Sequence, residues 1–106
     1  MTKTNKLSMA AAMLALAGLM AAQSAQAADP RNGAKLYNMH CSSCHSVNGR
    51  GGMPGVPDFS RGGALFKPDA KLVSVIEQGA GIMPAYRGLM STNDILDVIA
   101  HLRTFR

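Results

Sequence analysis

Five consecutive residues contain both cysteines of the chain: Cys41, Ser42, Ser43, Cys44 and His45. Two thiols and an imidazole at this spacing could form a disulfide, a thiol redox centre, a zinc site or the attachment point of a cofactor. A disulfide between Cys41 and Cys44 would close a very short loop and would stabilise the fold little. A thioredoxin-like centre needs a βαβ context, and a zinc ion needs a fourth ligand at an ordinary spacing. The sequence offers neither.

The pattern C-x-x-C-H is the attachment signature of c-type haem. Each cysteine adds to one vinyl group of the haem, and the histidine that follows is held where its imidazole can bind the iron. We therefore expect one haem c, covalently attached through Cys41 and Cys44, with His45 as the first axial ligand. Because this attachment takes place outside the cytoplasm, the same signature favours an exported protein.

The first 27 residues have the pattern of a secretory signal peptide. Lys3 and Lys6 precede an uninterrupted apolar stretch over residues 9–22, and Ala25-Gln26-Ala27 supplies the small residues of a cleavage site. The apolar stretch is shorter than the roughly 20 residues that span a bilayer. We expect a signal peptide over residues 1–27, a single haem domain over residues 28–106, a periplasmic location and no stable membrane anchor after cleavage.

The composition indicates a small domain that needs a disulfide, a metal or a cofactor for stability. The whole chain has 106 residues with no Trp, two Tyr and three Phe, which is little core material for a stable domain. Loss of the leader removes Lys3 and Lys6 and so lowers the formal net charge of +5. The remaining charges are scattered and form no basic stripe with aromatic residues between, so nothing predicts nucleic-acid binding.

Three helices are predicted after the leader. The first runs from Pro30 to about Met39 behind an Asp29 cap, and the second from Asp69 to Gln78. The third opens at Ser91 or Thr92 and extends its apolar face to Phe105. Between the first two helices, residues 46–68 contain six glycines and three prolines and predict no regular element. A connection this long is expected to wrap around something.

Four further stretches accompany the CSSCH segment: GAKLY at 33–37, GVPDF at 55–59, MPAY at 83–86 and IAHLR at 99–103. In this order they resemble class I cytochrome c, and the resemblance covers essentially the whole chain after the leader. It implies an all-α cytochrome c fold, in which about three main helices and long loops wrap around one covalently attached haem.

The resemblance also implies that a methionine sulfur is the second axial ligand. Four methionines follow the leader: Met39, Met53, Met83 and Met90. Met39 has helical spacing and is expected to pack in the core, Met53 lies too close to the attachment segment, and Met90 borders the last helix as a possible core residue. Met83 lies in an irregular segment that can cross the far side of a ring, so we predict His45 and Met83 as the two iron ligands.

A histidine that binds a metal usually donates its second ring N–H to an acceptor. The resemblance assigns that acceptor to a proline carbonyl after CSSCH, with Pro57 as the first choice and Pro54 as an alternative. The other two histidines are not expected to bind iron: His40 is predicted to lie on the surface, and His101 to be packed or exposed on the last helix.

These features together predict an exported one-electron carrier that moves electrons between periplasmic redox proteins, as a monomer or in transient complexes, and that is not an enzyme. Two filled axial positions leave no place on the iron for a substrate. One alternative is a haem c subunit of a periplasmic dehydrogenase or oxidase complex. Another is a haem peroxidase or gas-binding protein with an open iron site, which would require that Met83 does not bind iron.

Overall fold

The computed structural model describes residues 26–105. Four α-helices follow one another in this part of the chain: α1 over Pro30–His40, α2 over Ser42–His45, α3 over Asp69–Gln78 and α4 over Thr92–Leu102. The described residues contain no β-strand, since Ala80–Met83 and Arg87–Met90 pair only as isolated bridges. The all-α expectation is therefore confirmed, with α1, α3 and α4 as the three main helices.

Helix α1 begins as the sequence predicts. The Asp29 side chain accepts a hydrogen bond from the Arg31 N–H at 2.8 Å, and Pro30 occupies the first turn, where its missing N–H costs nothing. The helix ends at His40, directly before Cys41. The C-terminal end of α1 therefore determines the position of the CSSCH segment in the fold.

Helices α1 and α4 make the principal helix–helix contact of the fold. A Cβ on Gly33 would overlap the backbone carbonyl of Asp97 and lie 2.9 Å from the Val98 nitrogen, so the two backbones can approach this closely only because Gly33 has no side chain. Polar contacts flank the crossing: Asn32 Nδ2 donates to Asp97 Oδ2 at 2.8 Å, and the Asp29 N–H donates to Asp97 Oδ1 at 2.6 Å.

The long connection contains more structure than its glycines and prolines predict. Two single-turn 3-10 helices lie within it, over Phe59–Arg61 and Gly63–Leu65. The first is capped by Asp58, whose carboxylate accepts from the Ser60 N–H at 2.9 Å. The prediction of no regular element was wrong here, because a 3-10 turn needs only three residues and fits between closely spaced glycines and prolines.

Helix α3 has the predicted bounds, and α4 begins at the predicted cap. The Ser91 hydroxyl accepts from the Asp94 N–H at 3.1 Å, while the Asp94 carboxylate accepts from the Ser91 N–H at 3.1 Å, which forms a reciprocal capping box. The helix ends at Leu102, so Phe105 lies beyond it rather than on its inner face. The Phe105 ring nevertheless meets the Tyr37 ring edge-on at 5.3 Å.

A single hydrophobic cluster joins the helices and the loops. Tyr37 and Ile95 are fully buried, and Val98 and Ile99 are almost so. The other members of the cluster are Phe59, Leu65, Leu72, Ile76, Tyr86, Met90 and Leu102. Most of the predicted signal peptide lies outside the described residues, and none of the described helices is long and apolar enough to cross a membrane.

Candidate functional site

The CSSCH segment begins at a break between two helices. The Cys41 N–H still donates to the α1 carbonyl of Tyr37 at 2.8 Å, but the Cys44 and His45 N–H groups both donate to the Cys41 carbonyl, at 3.2 and 2.9 Å. The single turn α2 is followed by its C-cap Ser46, which is the one non-glycine residue with positive φ (66°) in the described part of the chain. Cys41, Cys44 and His45 are thus held on or beside one helical turn.

Cys41 and Cys44 form no disulfide in the described structure. Cys41 is half-buried and Cys44 is exposed. Burial, with a smaller contribution from Cys44, raises the pKa of Cys41 to about 11, whereas redox-active C-x-x-C motifs have a lowered pKa. Across residues 26–105, no group of three or more His, Cys, Asp or Glu side chains could hold a metal ion. The geometry therefore favours neither a disulfide, nor an activated thiolate, nor a zinc site.

The His45 imidazole is held by a ring contact. It stacks on Phe59 with the ring centroids 4.8 Å apart and the planes 21° from parallel. Burial lowers the pKa of His45, which favours the neutral imidazole that binds metals. Its Nδ1 atom is buried and has no hydrogen-bond partner among the described residues. The carbonyls of Pro57 and Pro54 do not accept a hydrogen bond from Nδ1 in this structure. The proline acceptor therefore stays a prediction, and Nδ1 is available for such a bond.

Phe59 is a site residue to which the sequence assigned no role. Its N–H donates to the Gly49 carbonyl at 2.8 Å, and the Gly51 N–H donates to the His45 carbonyl at 3.0 Å. These two bonds fold the glycine-rich loop back over the attachment turn and place the Phe59 ring against His45. The sequence feature that could have indicated this role is the presence of an aromatic residue, Phe59, at the end of the GVPDF stretch.

The methionines differ in their surroundings. Met39 is 71 % exposed, so the expectation that it packs in the core was wrong, and Met53 is 44 % exposed. Met90 is buried in the hydrophobic cluster, as its position beside the last helix allows. Met83 is half-buried at the edge of that cluster, in a tight turn where its N–H donates to the Ala80 carbonyl at 3.0 Å.

The segment that contains Met83 is joined to the CSSCH segment through Tyr86. The Tyr86 N–H donates to the Ile76 carbonyl of α3 at 3.0 Å. Its hydroxyl donates to the carbonyl of His40, one residue before Cys41, at 2.7 Å. The structure thus brings together the two segments that contain the predicted iron ligands.

The remaining histidines lie in aromatic contacts. The half-buried His40 ring meets the Tyr86 ring edge-on at 5.9 Å, and His101 packs against Tyr37 at 5.3 Å and against Phe105 at 5.0 Å. His101 is therefore a packed residue of α4, one of the two environments expected for it.

Comparisons with known proteins cover most of the chain. Residues 28–102 match the family model described as cytochrome c oxidase, cbb3-type, subunit III. Cytochrome c6 from Nostoc is 31 % identical over 86 residues, which cover 74 % of this chain and 72 % of that protein. Cytochrome c6 from Thermosynechococcus vestitus is 30 % identical over 74 % of this chain and 71 % of its own length, and that from Leptolyngbya boryana is 27 % identical over 71 % and 91 %.

The chain belongs to the class I c-type cytochromes. This cytochrome accordingly carries one covalently attached haem c and is an electron carrier rather than an enzyme. Its described residues suit that group: the two cysteines are unpaired, and a neutral imidazole with a free, buried Nδ1 follows them directly.

Proposed function

We propose that this cytochrome is exported, loses residues 1–27 and carries single electrons between redox proteins in the periplasm. The family match over residues 28–102 supports this proposal most directly, because it includes both the attachment segment and the Met83 segment and begins where the predicted leader ends. When bound, the haem iron supplies a one-electron Fe(III)/Fe(II) couple.

We further propose His45 and Met83 as the axial ligands. The surroundings of the four methionines support this choice. Met83 is half-buried at the edge of the hydrophobic cluster, whereas Met39 and Met53 are exposed and Met90 is enclosed in the core. A thioether ligand favours the reduced iron and raises the reduction potential.

The remaining residues have supporting roles in this proposal. Phe59 fixes the plane of the His45 ring through the stacking contact, and either Pro57 or Pro54 accepts from Nδ1 once the imidazole is bound. The hydrophobic cluster beside Met83 excludes water from one side of the site. With both axial positions filled, electron exchange needs no bond between the iron and a partner.

One observation favours a second candidate function. The matching family model takes its description from a subunit of an oxidase, so the cytochrome could act as a fixed haem c subunit of a periplasmic complex rather than as a free carrier. The residues that hold the haem would be the same in both cases, and only the lifetime of the association would differ.

Purification from the native periplasm under gentle conditions distinguishes the two roles. A free carrier should elute as a monomer, exchange electrons rapidly with a small soluble redox protein and oxidise no donor in the presence of peroxide. Co-elution with other chains in a fixed ratio, with electron exchange intact, would identify a subunit. Substantial peroxide turnover by the pure monomer would contradict both roles.

A further inference from the structure

The helix break at Cys41 leaves the His40 carbonyl of α1 without its usual partner. In a continuous α-helix the His40 carbonyl would accept from the Cys44 N–H. That N–H donates to the Cys41 carbonyl instead, at 3.2 Å. The vacant acceptor is filled by the hydroxyl of Tyr86, 46 positions along the chain, at 2.7 Å. A carbonyl at a helix end that is partly shielded from water is costly to leave unpaired, so this contact stabilises the start of the CSSCH segment.

Tyr86 itself is rigidly placed. Its side chain is buried within the hydrophobic cluster, and its ring meets the His40 ring edge-on. Its N–H donates to the Ile76 carbonyl of α3, and its own carbonyl accepts from the N–H groups of Leu89 and Met90, at 3.0 and 3.1 Å. The position of the Tyr86 hydroxyl is therefore well defined, and Tyr86 lies three residues after Met83.

The other hydrogen bonds of the Met83 segment do not reach α1 or α2. The N–H and carbonyl groups of Met83 pair with those of Ala80, at 3.0 and 3.1 Å, and the Arg87 N–H donates to Glu77 at the end of α3. Between residues 79–90 and residues 40–46, the bond from Tyr86 to His40 is the one hydrogen bond that the structure gives. It is the polar link between the two segments that contain the proposed ligands.

We propose that Tyr86 is a positioning residue for the second axial ligand. Its hydroxyl holds the Met83 segment against the CSSCH segment, so that loss of the hydroxyl lets the Met83 sulfur leave the iron while the helices stay folded. This inference rests on the proposed ligation by Met83 and adds the contact that maintains it.

Tyr37 offers a matched control, because it makes the same type of bond at the other end of the attachment segment. Its hydroxyl donates to the Ser46 carbonyl at 2.6 Å. That carbonyl also accepts from the Gly49 N–H at 3.1 Å, so it keeps one partner when the hydroxyl is removed. Tyr37 lies on α1 and its hydrogen bond does not involve the Met83 segment. Tyr37→Phe therefore removes a tyrosine hydrogen bond of the same type without loosening Met83.

The test uses the haem-loaded wild-type protein, Tyr86→Phe, Tyr37→Phe and Met83→Leu. Each ferric protein is heated while the near-infrared sulfur-to-iron band and the far-UV circular dichroism are recorded together. In Tyr86→Phe the band should disappear while the helical signal persists. The ratio of Met-free to Met-bound protein at a given temperature should rise about fivefold, as expected for the loss of one neutral hydrogen bond. In Tyr37→Phe the band and the helical signal should fall together.

Equal behaviour of Tyr86→Phe and Tyr37→Phe would overturn the inference, because the Tyr86 hydroxyl would then be a general stabiliser like that of Tyr37. The proposed ligation would survive that result as long as Met83→Leu lacks the band. A band that persists in Met83→Leu would contradict the ligand assignment itself, and the inference would fall with it. Met83→Leu thus separates the failure of the inference from the failure of the proposed function.

Discussion

Among the described residues, the His45 side chain is restrained by the packing of its ring. The stack on Phe59 restrains the plane of the imidazole, and burial keeps it neutral, while Nδ1 has no partner in the described structure. The prediction that His45 is a ligand follows from its place after Cys44 alone. The orientation of its ring depends on Phe59, 14 positions away, and no local pattern could have predicted that contact.

The choice among the methionines yields a prediction at the residue scale. Met83→Leu keeps an apolar side chain of similar volume but removes the sulfur. We expect the near-infrared sulfur-to-iron band of the ferric protein to disappear and the reduction potential to fall, because thioether ligation favours the reduced iron. Absorption spectroscopy and redox titration measure the two effects.

Met90→Leu is the matched control for this substitution. Met90 is buried in the hydrophobic cluster, and a Met-to-Leu exchange in a core usually costs less than about 1.5 kcal/mol. The band and the potential should be unchanged in this variant. Loss of the band in Met90→Leu and its retention in Met83→Leu would mean that Met90 is the ligand.

The helices follow from local sequence signals, but their crossing does not. The helix starts are predicted by the capping residues Asp29 and Ser91 and by Pro30. The buried faces of α3 and α4 are predicted by the spacing of their apolar residues. The close contact of α1 with α4 depends on Gly33. From the sequence alone, a glycine within a predicted helix indicates only that the helix is less stable at that position. The role of Gly33 becomes clear only from the structure, in which the Asp97 backbone lies directly against it.

Substitution of this glycine tests the crossing. Gly33→Ala places a Cβ against the backbone of Asp97 and Val98, where no flexible side chain can move aside. We expect the free energy of unfolding to fall by about 1–3 kcal/mol or more, the usual effect of overpacking. Gly63→Ala is the control, since a Cβ at Gly63 would meet nothing within 4 Å. Equal stability of the two variants in denaturant titrations would contradict the close approach of the helices.

The capping box of α4 predicts a pH-dependent effect. Ser91→Ala removes the hydroxyl that accepts from the Asp94 N–H and donates to the Asp94 carboxylate, at 3.1 and 2.8 Å. Loss of such a cap typically costs about 1 kcal/mol of stability. Hydrogen bonds from Ser91, the side-chain bond foremost, lower the pKa of Asp94 from its ordinary value of 3.8.

A lowered carboxyl pKa stabilises the folded state above the ordinary pKa, and the contribution is lost as the pH falls through the lowered value. The stability difference between the wild type and Ser91→Ala should therefore be largest near neutral pH and should shrink below about pH 4. Denaturant titrations at pH 7, 5 and 3 measure it. A difference that grows at low pH would contradict the role of the Asp94 carboxylate in the cap.

For the whole molecule, we infer that the haem supplies part of the apolar interior that so short a chain lacks. The hydrophobic cluster has no Trp and contains three aromatic side chains, Tyr37, Phe59 and Tyr86. The glycine-rich connection folds back over the attachment turn through Gly49 and Gly51 rather than forming a layer of its own. The expectation that this loop wraps around something follows from its length and composition, but its two 3-10 turns depend on contacts that composition does not encode.

Export and attachment give a prediction for the complete protein. When the full chain is expressed together with a system that attaches haem c, the mature protein should begin at Ala28 and its mass should exceed that of residues 28–106 by one haem. Intact-mass spectrometry and N-terminal sequencing measure this. Extraction of the haem by acid-acetone would contradict the thioether bonds, and retention of residues 1–27 would contradict the signal peptide.

The order of motifs along the chain, and with it the fold class and the covalent cofactor, could be predicted because each motif is local. The unpaired Nδ1 of His45, the exposure of Met39 and the bond from Tyr86 to His40 could not, because each depends on residues that meet only after folding. Tyr86 is the clearest example, since it lies within a recognisable MPAY stretch and yet donates a hydrogen bond to the carbonyl of His40, 46 positions earlier in the chain.

The central claim is that His45 and Met83 both bind the iron and leave it no open position, and carbon monoxide tests this most directly. The reduced wild-type protein at neutral pH should show no spectrum of a carbon monoxide complex, or only a weak one at high pressure of the gas. The reduced Met83→Leu protein should bind carbon monoxide stoichiometrically. Stoichiometric binding by the native wild-type protein would contradict the account and would favour a haem protein with an open iron site.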